Sequence, residues 1–506
     1  MSKVTQPRVI VIGAGIGGLT TAALLACRGY SVKMYDQAIV PGGCASTFKR
    51  RGFTFDVGAT QVAGLEPGGI HHQIFSELNI ELPEATPCDP ACAVFLPNET
   101  QPINVWRDPQ KWQQERQQQF PGSDSFWGLM STLFQASWRF QSRDPVLPPR
   151  NIWDLWQLTK AVRPDTLVTL PFTFTTVAQA LRGYQLGENK RLKTFLDLQL
   201  KLYSQVDTEE TALLYAATAL GVSQEPQGLF HLLGSMQVLS DRLVEAFKRD
   251  GGQLFMQHTV EAVETQKNKA VAVHIQNQKT GETWREAADI VVANVTVQNL
   301  VKLLGTETDH SLMWQNYKRR VDKLPAASGA FVIYLGVDQA AIPEGCPPHL
   351  QFLYDYDKPI GENNSLFVSV SRPGDGRAPE GKATITASSF TDTRQWWNCA
   401  DYQALKQQYT KEAIARLNSY FNLTPETIIH TEAATPRTFA NYTARDQGEV
   451  GGLGQRVSTF GPFGFANRTP IQQLWLVGDC THPGEGTAGV SYSALTVVRQ
   501  IEASFA

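Results

Sequence analysis

The chain has 506 residues, with 45 basic and 48 acidic side chains and a formal net charge of -3 at pH 7. This length allows about three domains or one large α/β enzyme with insertions, and it is sufficient for a large buried core. The balanced charge excludes the strongly basic surface that is typical of nucleic-acid-binding proteins, so we expect no nucleic-acid partner.

The seven cysteines are scattered and odd in number, which favours reduced thiols in a cytoplasmic setting over a disulfide framework. No cysteine or histidine cluster has the spacing of a metal site, and we expect no metal. The first predicted strand begins close to the first residue, so we expect no signal peptide before it. No apolar run reaches the roughly 18 residues of a membrane-spanning helix, so we expect the protein not to cross a membrane.

A β-α-β unit is predicted for residues 8–36. A β-branched run at 9–12 ends at a glycine, an apolar run typical of a helix covers 19–28, and a second strand is predicted at 32–35. This order of elements predicts an α/β fold that begins with two parallel strands joined by a crossover helix.

The turn between the first strand and the helix carries a dinucleotide fingerprint, Gly13-x-Gly15-x-x-Gly18. The first glycine permits the tight turn, the second lets the backbone approach a pyrophosphate, and the third lets the helix pack on the strand. The helix N-terminus offers unpaired N–H groups to the phosphates. At the end of the second strand, Asp36 is placed to accept hydrogen bonds from ribose hydroxyls. The predicted cofactor contacts here are Gly13, Ala14, Gly15, Ile16, Gly17, Gly18 and Asp36.

Two further glycines, Gly42 and Gly43, follow the second strand and bring more backbone toward a bound phosphate or flavin. An alternating pattern at 53–57 predicts a strand that returns to the cofactor. These stretches resemble the flavin-binding start of the carotenoid desaturase and amine oxidase superfamily, which implies FAD as the cofactor. Many members of that superfamily have an arginine after the paired glycines, where this chain has Cys44.

Aromatic side chains are frequent between residues 76 and 225, among glutamines and arginines. Two interpretations stay open: these side chains form a wall for an apolar substrate or a face in lipid headgroups, or they fill an ordinary core. Residues 306–455 contain alternating strand patterns and a long helical pattern at 402–421. They predict an antiparallel sheet covered by helices, on the substrate side of the molecule.

The cofactor domain is predicted to resume near residue 231, with an amphipathic helix, a strand region at 254–263 and a strand at 289–294. In the superfamily, this order of elements forms the second part of the flavin domain, and the residue that matches Val260 contacts the adenine through its backbone. The resemblance implies a discontinuous Rossmann-like FAD-binding domain and an α+β substrate-binding domain, which would include any membrane-facing helices. The predicted ranges are 1–75, 226–305 and 456–506 for the first and 76–225 and 306–455 for the second.

The closing segment has a strand that ends in Gly478-Asp479, at the edge of the sheet where ligands of open α/β folds bind. The superfamily uses the matching aspartate to hold a ribityl hydroxyl of FAD. The last helix, with its N-terminus near Gly489 and Val490, would direct its dipole at the flavin pyrimidine. The resemblance therefore adds Gly42, Gly43, Val260, Gly478, Asp479, Thr487, Gly489 and Val490 to the predicted FAD contacts.

One fingerprint accounts for a single dinucleotide, so the electrons are expected to leave to a quinone, oxygen or another acceptor. Desaturation moves a hydride to the flavin and a proton to an acceptor that the sequence does not identify. Glu485, in the glycine-rich turn, is the one candidate for this role. A carboxylate in such a turn is expected to face solvent, and it acts as a general base only if apolar surroundings raise its pKa. Cys480, beside the aspartate, is expected not to be linked to the flavin.

Two stretches, residues 55–69 and 481–490, are most similar to bacterial carotenoid 3',4'-desaturases. This resemblance implies an FAD-dependent oxidoreductase of carotenoid biosynthesis that introduces the C-3',4' double bond into an acyclic, 1'-hydroxylated end group. It also implies an apolar substrate drawn from a membrane, with the protein bound peripherally to the membrane surface. A carotenoid cis-trans isomerase that uses reduced FAD is the nearest alternative. An amine oxidase and a non-catalytic prenyl-lipid escort protein are the more distant ones.

Overall fold

The computed structural model describes residues 7–305 and 311–505 of the chain. In this part of the chain the strands form five sheets. The strands are β1 Arg8–Ile12, β2 Ser31–Asp36, β3 Thr47–Arg50, β4 Phe53–Asp56, β5 Ala85–Pro87, β6 Cys92–Phe95, β7 Ile103–Val105, β8 Phe230–Leu232, β9 Gln253–Met256, β10 His258–Gln266, β11 Lys269–Asn277, β12 Thr283–Ala287, β13 Ile290–Ala293, β14 Ser328–Asp338, β15 His349–Leu353, β16 Ser365–Val370, β17 Lys382–Asp392, β18 Ile428–Ala434 and β19 Leu474–Leu476.

The longest run of consecutive helices in the described part of the chain lies between β7 and β8. The α-helices are α1 Ile16–Cys27, α2 Ile70–Glu77, α3 Pro109–Gln119, α4 Asp124–Gln141, α5 Ile152–Ala161, α6 Val177–Gly183, α7 Lys190–Ser204, α8 Leu213–Gly221, α9 Gln237–Arg249, α10 Val297–Leu304, α11 Leu312–Asp322, α12 Thr393–Asn398, α13 Tyr402–Leu417, α14 Pro436–Thr443 and α15 Thr487–Phe505. Short 3-10 helices lie at Gly43–Ala45, Leu167–Phe172, Gln339–Ala341, Asp446–Gly448 and Gly461–Phe463.

A parallel sheet in the order β19-β13-β1-β2-β9 forms one half of the molecule. Its strands come from all three of the segments predicted to form the discontinuous domain. Helix α1 packs against both α9 and α15. The apolar side chains of these elements form one continuous core. The exact domain boundaries stay a prediction, and their residues 1–6, 306–310 and 506 lie outside the described part of the chain.

Helix α1 begins at Ile16, closer to the first strand than the apolar run at 19–28 had indicated. The turn before it needs glycine at two positions. Gly13 has a positive φ of 93°, and a Cβ on Gly18 would lie 2.1 Å from the carbonyl oxygen of Gly13. Only glycine allows so close an approach of helix and strand. The predicted β-α-β unit is therefore present, and its helix packs directly on the backbone at the end of the first strand.

The predicted strand region at 254–263 is wrong as a single unit, because the structure divides it in two. The first part, β9, joins the edge of the parallel sheet, whereas β10 begins a separate antiparallel sheet with β11 and β12. Gln257 between them has a φ of 62°. This left-handed conformation turns the chain from one sheet into the next.

The second large sheet has the order β18-β14-β17-β16-β15-β6-β7. Its neighbouring strands are antiparallel except for β15 and β6, which run parallel. The antiparallel sheet predicted for 306–455 is thus extended by β6 and β7 from the aromatic-rich insertion. The long helix predicted at 402–421 is α13, and its buried residues pack into the core of this sheet.

A buried ionic network joins the two halves of the molecule. Arg377, with a side chain 4% exposed, donates to Asp56 Oδ2 from Nε at 3.2 Å and from Nη2 at 3.0 Å. Its Nη1 donates to the carbonyl oxygen of Leu232 at 2.7 Å and to Asp375 Oδ2 at 3.3 Å. His231 Nε2 lies 2.9 Å from the same Asp375 oxygen. The network fixes β4 and β8 to the loop between β16 and β17.

We expect Arg377→Met to lower the free energy of unfolding by about 3–5 kcal/mol, because it leaves two buried carboxylates without their cation. Urea denaturation measures the change. Arg394→Met is the matched control, since Arg394 pairs with Asp392 on the surface, where the two side chains are 69% and 42% exposed. Its expected loss is below about 1 kcal/mol. Similar small losses for the two variants would contradict the structural role of the network.

Candidate functional site

A cavity of about 990 Å³ lies between the two large sheets. On one side it is lined by the turn before α1, the loop after β2 and the segment between β19 and α15. On the other side it is lined by β14, β16 and β17 and by parts of helices α4, α7 and α8. The glycine turn before α1 and the Gly478-Asp479 segment after β19 therefore line the same cavity as the second large sheet.

Thirteen of the fifteen predicted cofactor contacts line this cavity: Gly13, Gly15, Ile16, Gly17, Asp36, Gly42, Gly43, Val260, Gly478, Asp479, Thr487, Gly489 and Val490. The other two, Ala14 and Gly18, lie behind the cavity surface. Ala14 is fully buried, and Gly18 packs on the backbone of Gly13. The structure thus brings the predicted residues together, while their contacts with a cofactor stay a prediction.

The carboxylate of Asp36 organises the loops at one end of the cavity. Its Oδ2 accepts a hydrogen bond from the backbone N–H of Ala14 at 2.6 Å, and its Oδ1 accepts one from Ala38 at 2.6 Å. Burial raises the pKa of Asp36, although these two hydrogen bonds act in the opposite direction. Each carboxylate oxygen has capacity for a further hydrogen bond, so the residue still fits the predicted contact with ribose hydroxyls.

The glycine loops fit a bound dinucleotide. The backbone N–H of Gly42 donates to the carbonyl oxygen of Ala14 at 2.8 Å, and a Cβ on Gly43 would lie 3.3 Å from the Cα of Gly15. Gly15 is the N-cap of α1 and provides no side-chain cap. The first N–H groups of α1 are therefore suited to an anion such as a pyrophosphate.

Sequence reasoning missed Arg445, which lies just after α14 and lines the cavity. Its Nη1 donates to Asp479 Oδ2 at 2.9 Å, and its Nε donates to the carbonyl oxygen of Glu449 at 2.8 Å. Burial opposes the positive charge, but the neighbouring carboxylate of Asp479 outweighs this effect and raises the pKa of Arg445. The one available hint was the absence of the superfamily's arginine at Cys44.

The expectation that Glu485 faces solvent is wrong. Its Oε2 accepts a hydrogen bond from Gln205 Nε2 at 2.9 Å, and its Oε1 is buried without a hydrogen-bond partner in the described part of the chain. The backbone at Gly451 covers the carboxylate, since a Cβ there would lie 2.4 Å from Oε2. Burial raises the pKa of Glu485 to about 8 from an ordinary value of 4.5. The residue therefore has the environment that a general base requires.

Cysteine and histidine side chains near the cavity differ in their placement. Cys44 lines the cavity, whereas Cys480 is 5% exposed and lies outside the lining. Burial raises the pKa of both thiols. His482 lines the cavity, and its Nε2 lies 2.9 Å from Gln141 Oε1. Burial lowers the pKa of His482 to about 4, so the ring is neutral at pH 7.

The aromatic-rich insertion divides among three environments. Trp112 and Trp127 belong to a buried core, whereas Trp138 and Phe140 on α4 line the cavity. Trp156 on α5 is 58% exposed. The core interpretation is confirmed for Trp112 and Trp127, whereas a substrate wall or a lipid-facing surface stays a prediction for the other positions. Further aromatic cavity residues come from other segments: Tyr203, Tyr215, Phe367, Phe390, Phe460 and Tyr492.

Exposed apolar side chains are concentrated in one segment, between residues 152 and 174. This segment contains eight of the seventeen exposed large hydrophobic residues in the described part of the chain. Two of these eight residues, Val162 and Leu170, also line the cavity, as does Leu158 in the same segment. The cavity therefore reaches this surface. We refer to the eight residues as the apolar face: Ile152, Leu155, Trp156, Val162, Leu167, Val168, Leu170 and Phe174.

Comparisons with known proteins agree with this geometry. A model of the NAD(P)-binding Rossmann-like domain matches residues 11–78. Prolycopene isomerase of Daucus carota is 26% identical over 510 residues, which cover 98% of this chain and 80% of the relative. Phytoene desaturase (neurosporene-forming) of Rhodobacter capsulatus is 23% identical over 528 residues, which cover 99% of this chain and 95% of the relative. The similarity to carotenoid isomerases and desaturases thus extends over nearly the whole chain.

Among solved structures, cyclohexylamine oxidase from Brevibacterium oxydans superposes with a TM-score of 0.62 at 16% identity, covering 98% of this chain and 100% of that one. The predicted fold class is confirmed: a Rossmann-like part and an α+β part, as in the amine oxidases and carotenoid desaturases. The prediction of an enzyme of the oxidoreductase class is also confirmed.

We expect Glu485→Gln to change how stability depends on pH. The carboxyl of the folded protein keeps its proton up to a pKa of about 8, whereas the unfolded chain loses it near 4.5. Wild-type stability therefore falls as the pH rises from 4.5 to 8, and the glutamine variant lacks this loss. The variant should gain about 4–5 kcal/mol relative to wild type between pH 4.5 and 8.5, measured by urea denaturation. The exposed Glu261→Gln is the control, and parallel pH curves for all three proteins would refute the raised pKa.

Proposed function

We propose that the chain is an FAD-dependent desaturase that introduces the C-3',4' double bond into an acyclic, 1'-hydroxylated carotenoid end group. The observation that carries the proposal is the single cavity, in which dinucleotide-type glycine loops and an apolar, aromatic wall face each other. The full-length similarity to carotenoid desaturases and isomerases supports the substrate class. The thirteen cavity-lining residues predicted from the sequence are our proposed FAD contacts.

Bound FAD would supply the acceptor for a hydride from one carbon of the polyene. We assign the second half of the reaction to Glu485, whose carboxylate takes the proton from the adjacent carbon as the new C=C bond forms. A carboxyl with a pKa of about 8 is a stronger base than an ordinary glutamate once it is ionised. The apolar walls exclude water, and the electrons then leave to a quinone or to oxygen.

A carotenoid cis-trans isomerase that uses reduced FAD is the second candidate. Prolycopene isomerase of Daucus carota is 26% identical to the chain, slightly more than the Rhodobacter capsulatus desaturase at 23%. In that case no net oxidation of the carotenoid takes place, and Glu485 would remain protonated during turnover. The two candidates share the fold, the cavity and the substrate class, but they differ in whether the flavin is reduced by the substrate.

We also propose that the protein docks peripherally on a membrane through the apolar face. In the part of the chain that the structure describes, no helix has the length and apolar character needed to span a bilayer. The exposed cations Arg150, Lys160 and Arg163 flank the face, and Lys160 Nζ lies 5.4 Å from the ring centre of Trp156. Aromatic and basic side chains together are typical of surfaces in the headgroup region. A carotenoid would then pass from the bilayer into the cavity without crossing water.

The reaction is tested with FAD-loaded protein mixed anaerobically with liposomes that carry a 1'-hydroxylated acyclic carotenoid. We expect the flavin absorption to bleach as the polyene absorption shifts to the red, at a rate that rises with pH through about 8. Glu485→Gln should slow this step by about 10²- to 10⁴-fold, and Glu261→Gln should leave it unchanged. A new geometric isomer formed only with chemically reduced flavin, without bleaching, would favour the isomerase.

Membrane docking is tested by flotation with liposomes that contain anionic lipid. The double variant Trp156→Ser and Phe174→Ser should lower the partition coefficient between liposomes and solution by about tenfold or more. The reason is that two large apolar side chains no longer enter the interface. Trp397→Ser with Phe505→Ser removes the same two residue types elsewhere, where the side chains are 43% and 46% exposed, against 58% and 70% for Trp156 and Phe174. Equal losses for both pairs, or no binding by wild type, would contradict docking through this face.

A further inference from the structure

Carboxyl groups outnumber guanidinium and ammonium groups in the described lining of the cavity. Asp36, Asp144, Asp479 and Glu485 all line it, whereas Arg445 is the one permanently positive side chain among the described lining residues. FAD brings a negatively charged pyrophosphate, and reduction can add a further negative charge to its ring. A cavity with this balance of charge repels such a ligand unless a cation lies near it.

Arg445 is held rigidly at the cavity surface. Ala444, the C-cap residue directly after helix α14, has a left-handed conformation with a φ of 56°, and Arg445 follows it. Besides its hydrogen bonds to Asp479 and Glu449, the guanidinium donates from Nη2 to the carbonyl oxygen of Gly451. These three hydrogen bonds use three of the five N–H donors of an arginine. The others are available to a ligand, and the side chain is 17% exposed.

The charge of Arg445 also affects the pKa of Cys44, although the two residues are far apart in sequence. Burial raises the pKa of the Cys44 thiol, and the charge of Arg445 partly opposes this rise. Cys44 follows the paired glycines at the position where many members of the superfamily carry arginine. Cys44 and Arg445 line the same cavity, so its lining carries a guanidinium that comes from the loop after α14 and not from the glycine loop.

We infer that Arg445 is a cofactor-positioning residue that supplies the guanidinium missing at Cys44. It does so across the cavity, so that the loop after α14 and the glycine loop of the Rossmann-like part hold the same anionic ligand. The inference rests on FAD being the cofactor, as proposed above. It goes further by assigning to this chain a contact that no sequence motif indicates and by explaining why a cysteine is tolerated after the paired glycines.

The test measures FAD affinity of the full chain by titrating the apoprotein and following flavin fluorescence. Arg445→Met should weaken binding by about 10- to 100-fold, because a charge-assisted hydrogen bond to the anion is lost. Arg445→Lys, which keeps the charge but not the fork of donors, should weaken it less. Adding Cys44→Arg to Arg445→Met should recover at least half of the loss on a logarithmic scale. This rescue is a readout that a merely structural role for Arg445 would not produce.

Arg320→Met is the matched control. Arg320 also donates to a backbone carbonyl, that of Gly464 at 2.9 Å, but it lies outside the cavity lining. Its loss should lower the melting temperature of the apoprotein without changing FAD affinity. Wild-type affinity in Arg445→Met or Arg445→Lys, failure of the rescue, or an equal loss in Arg320→Met would overturn the inference. If Arg445→Met does not fold, the FAD affinity of Arg445→Lys alone decides whether Arg445 positions the cofactor. Absence of FAD binding by wild type would instead reject the proposed function.

Discussion

The backbone contact between the end of β1 and the start of α1 determines where every other part of the site lies. A Cβ on Gly18 would stand 2.1 Å from the Gly13 carbonyl oxygen, so the two segments meet with no side chain between them. Asn294, at the end of β13, lies on the same turn, and its Nδ2 donates to the Gly13 oxygen at 3.3 Å. A Cβ on Gly478 would lie 3.0 Å from the Asn294 side chain. Three strands from distant parts of the chain thus end against one glycine turn.

This turn was predictable because its chemistry is local. Glycines that permit a positive φ or a close approach stand at fixed offsets from a β-branched run, and both signals can be read in about thirty consecutive residues. The Gly478-Asp479 strand end was predictable for the same reason. The division of the region at 254–263 was not, because the left-handed conformation of Gln257 depends on two different sheets competing for the flanking residues.

The environments of Glu485 and Arg445 depend on contacts between residues far apart in sequence. Gln205 on one segment and Gly451 on another enclose the Glu485 carboxylate, and neither lies in a motif with it. A turn rich in glycine is typical of a solvent-exposed position, so the local pattern favoured the wrong environment. The aromatic insertion shows the same limit: its composition does not separate a core residue such as Trp127 from a cavity-lining residue such as Trp138.

Buried carboxylates in the described part of the chain differ in how fully their oxygens are hydrogen-bonded. Asp56 and Asp375 have hydrogen-bond partners on both oxygens, as expected for a network that holds elements together. Glu485 has a buried oxygen without a partner in the described part of the chain, and its raised pKa reflects the resulting cost of ionisation. A structural residue would gain stability from a partner or from replacement by an uncharged side chain. Ionisation of Glu485 therefore costs stability at its site, whereas the network carboxylates are stabilised by their partners.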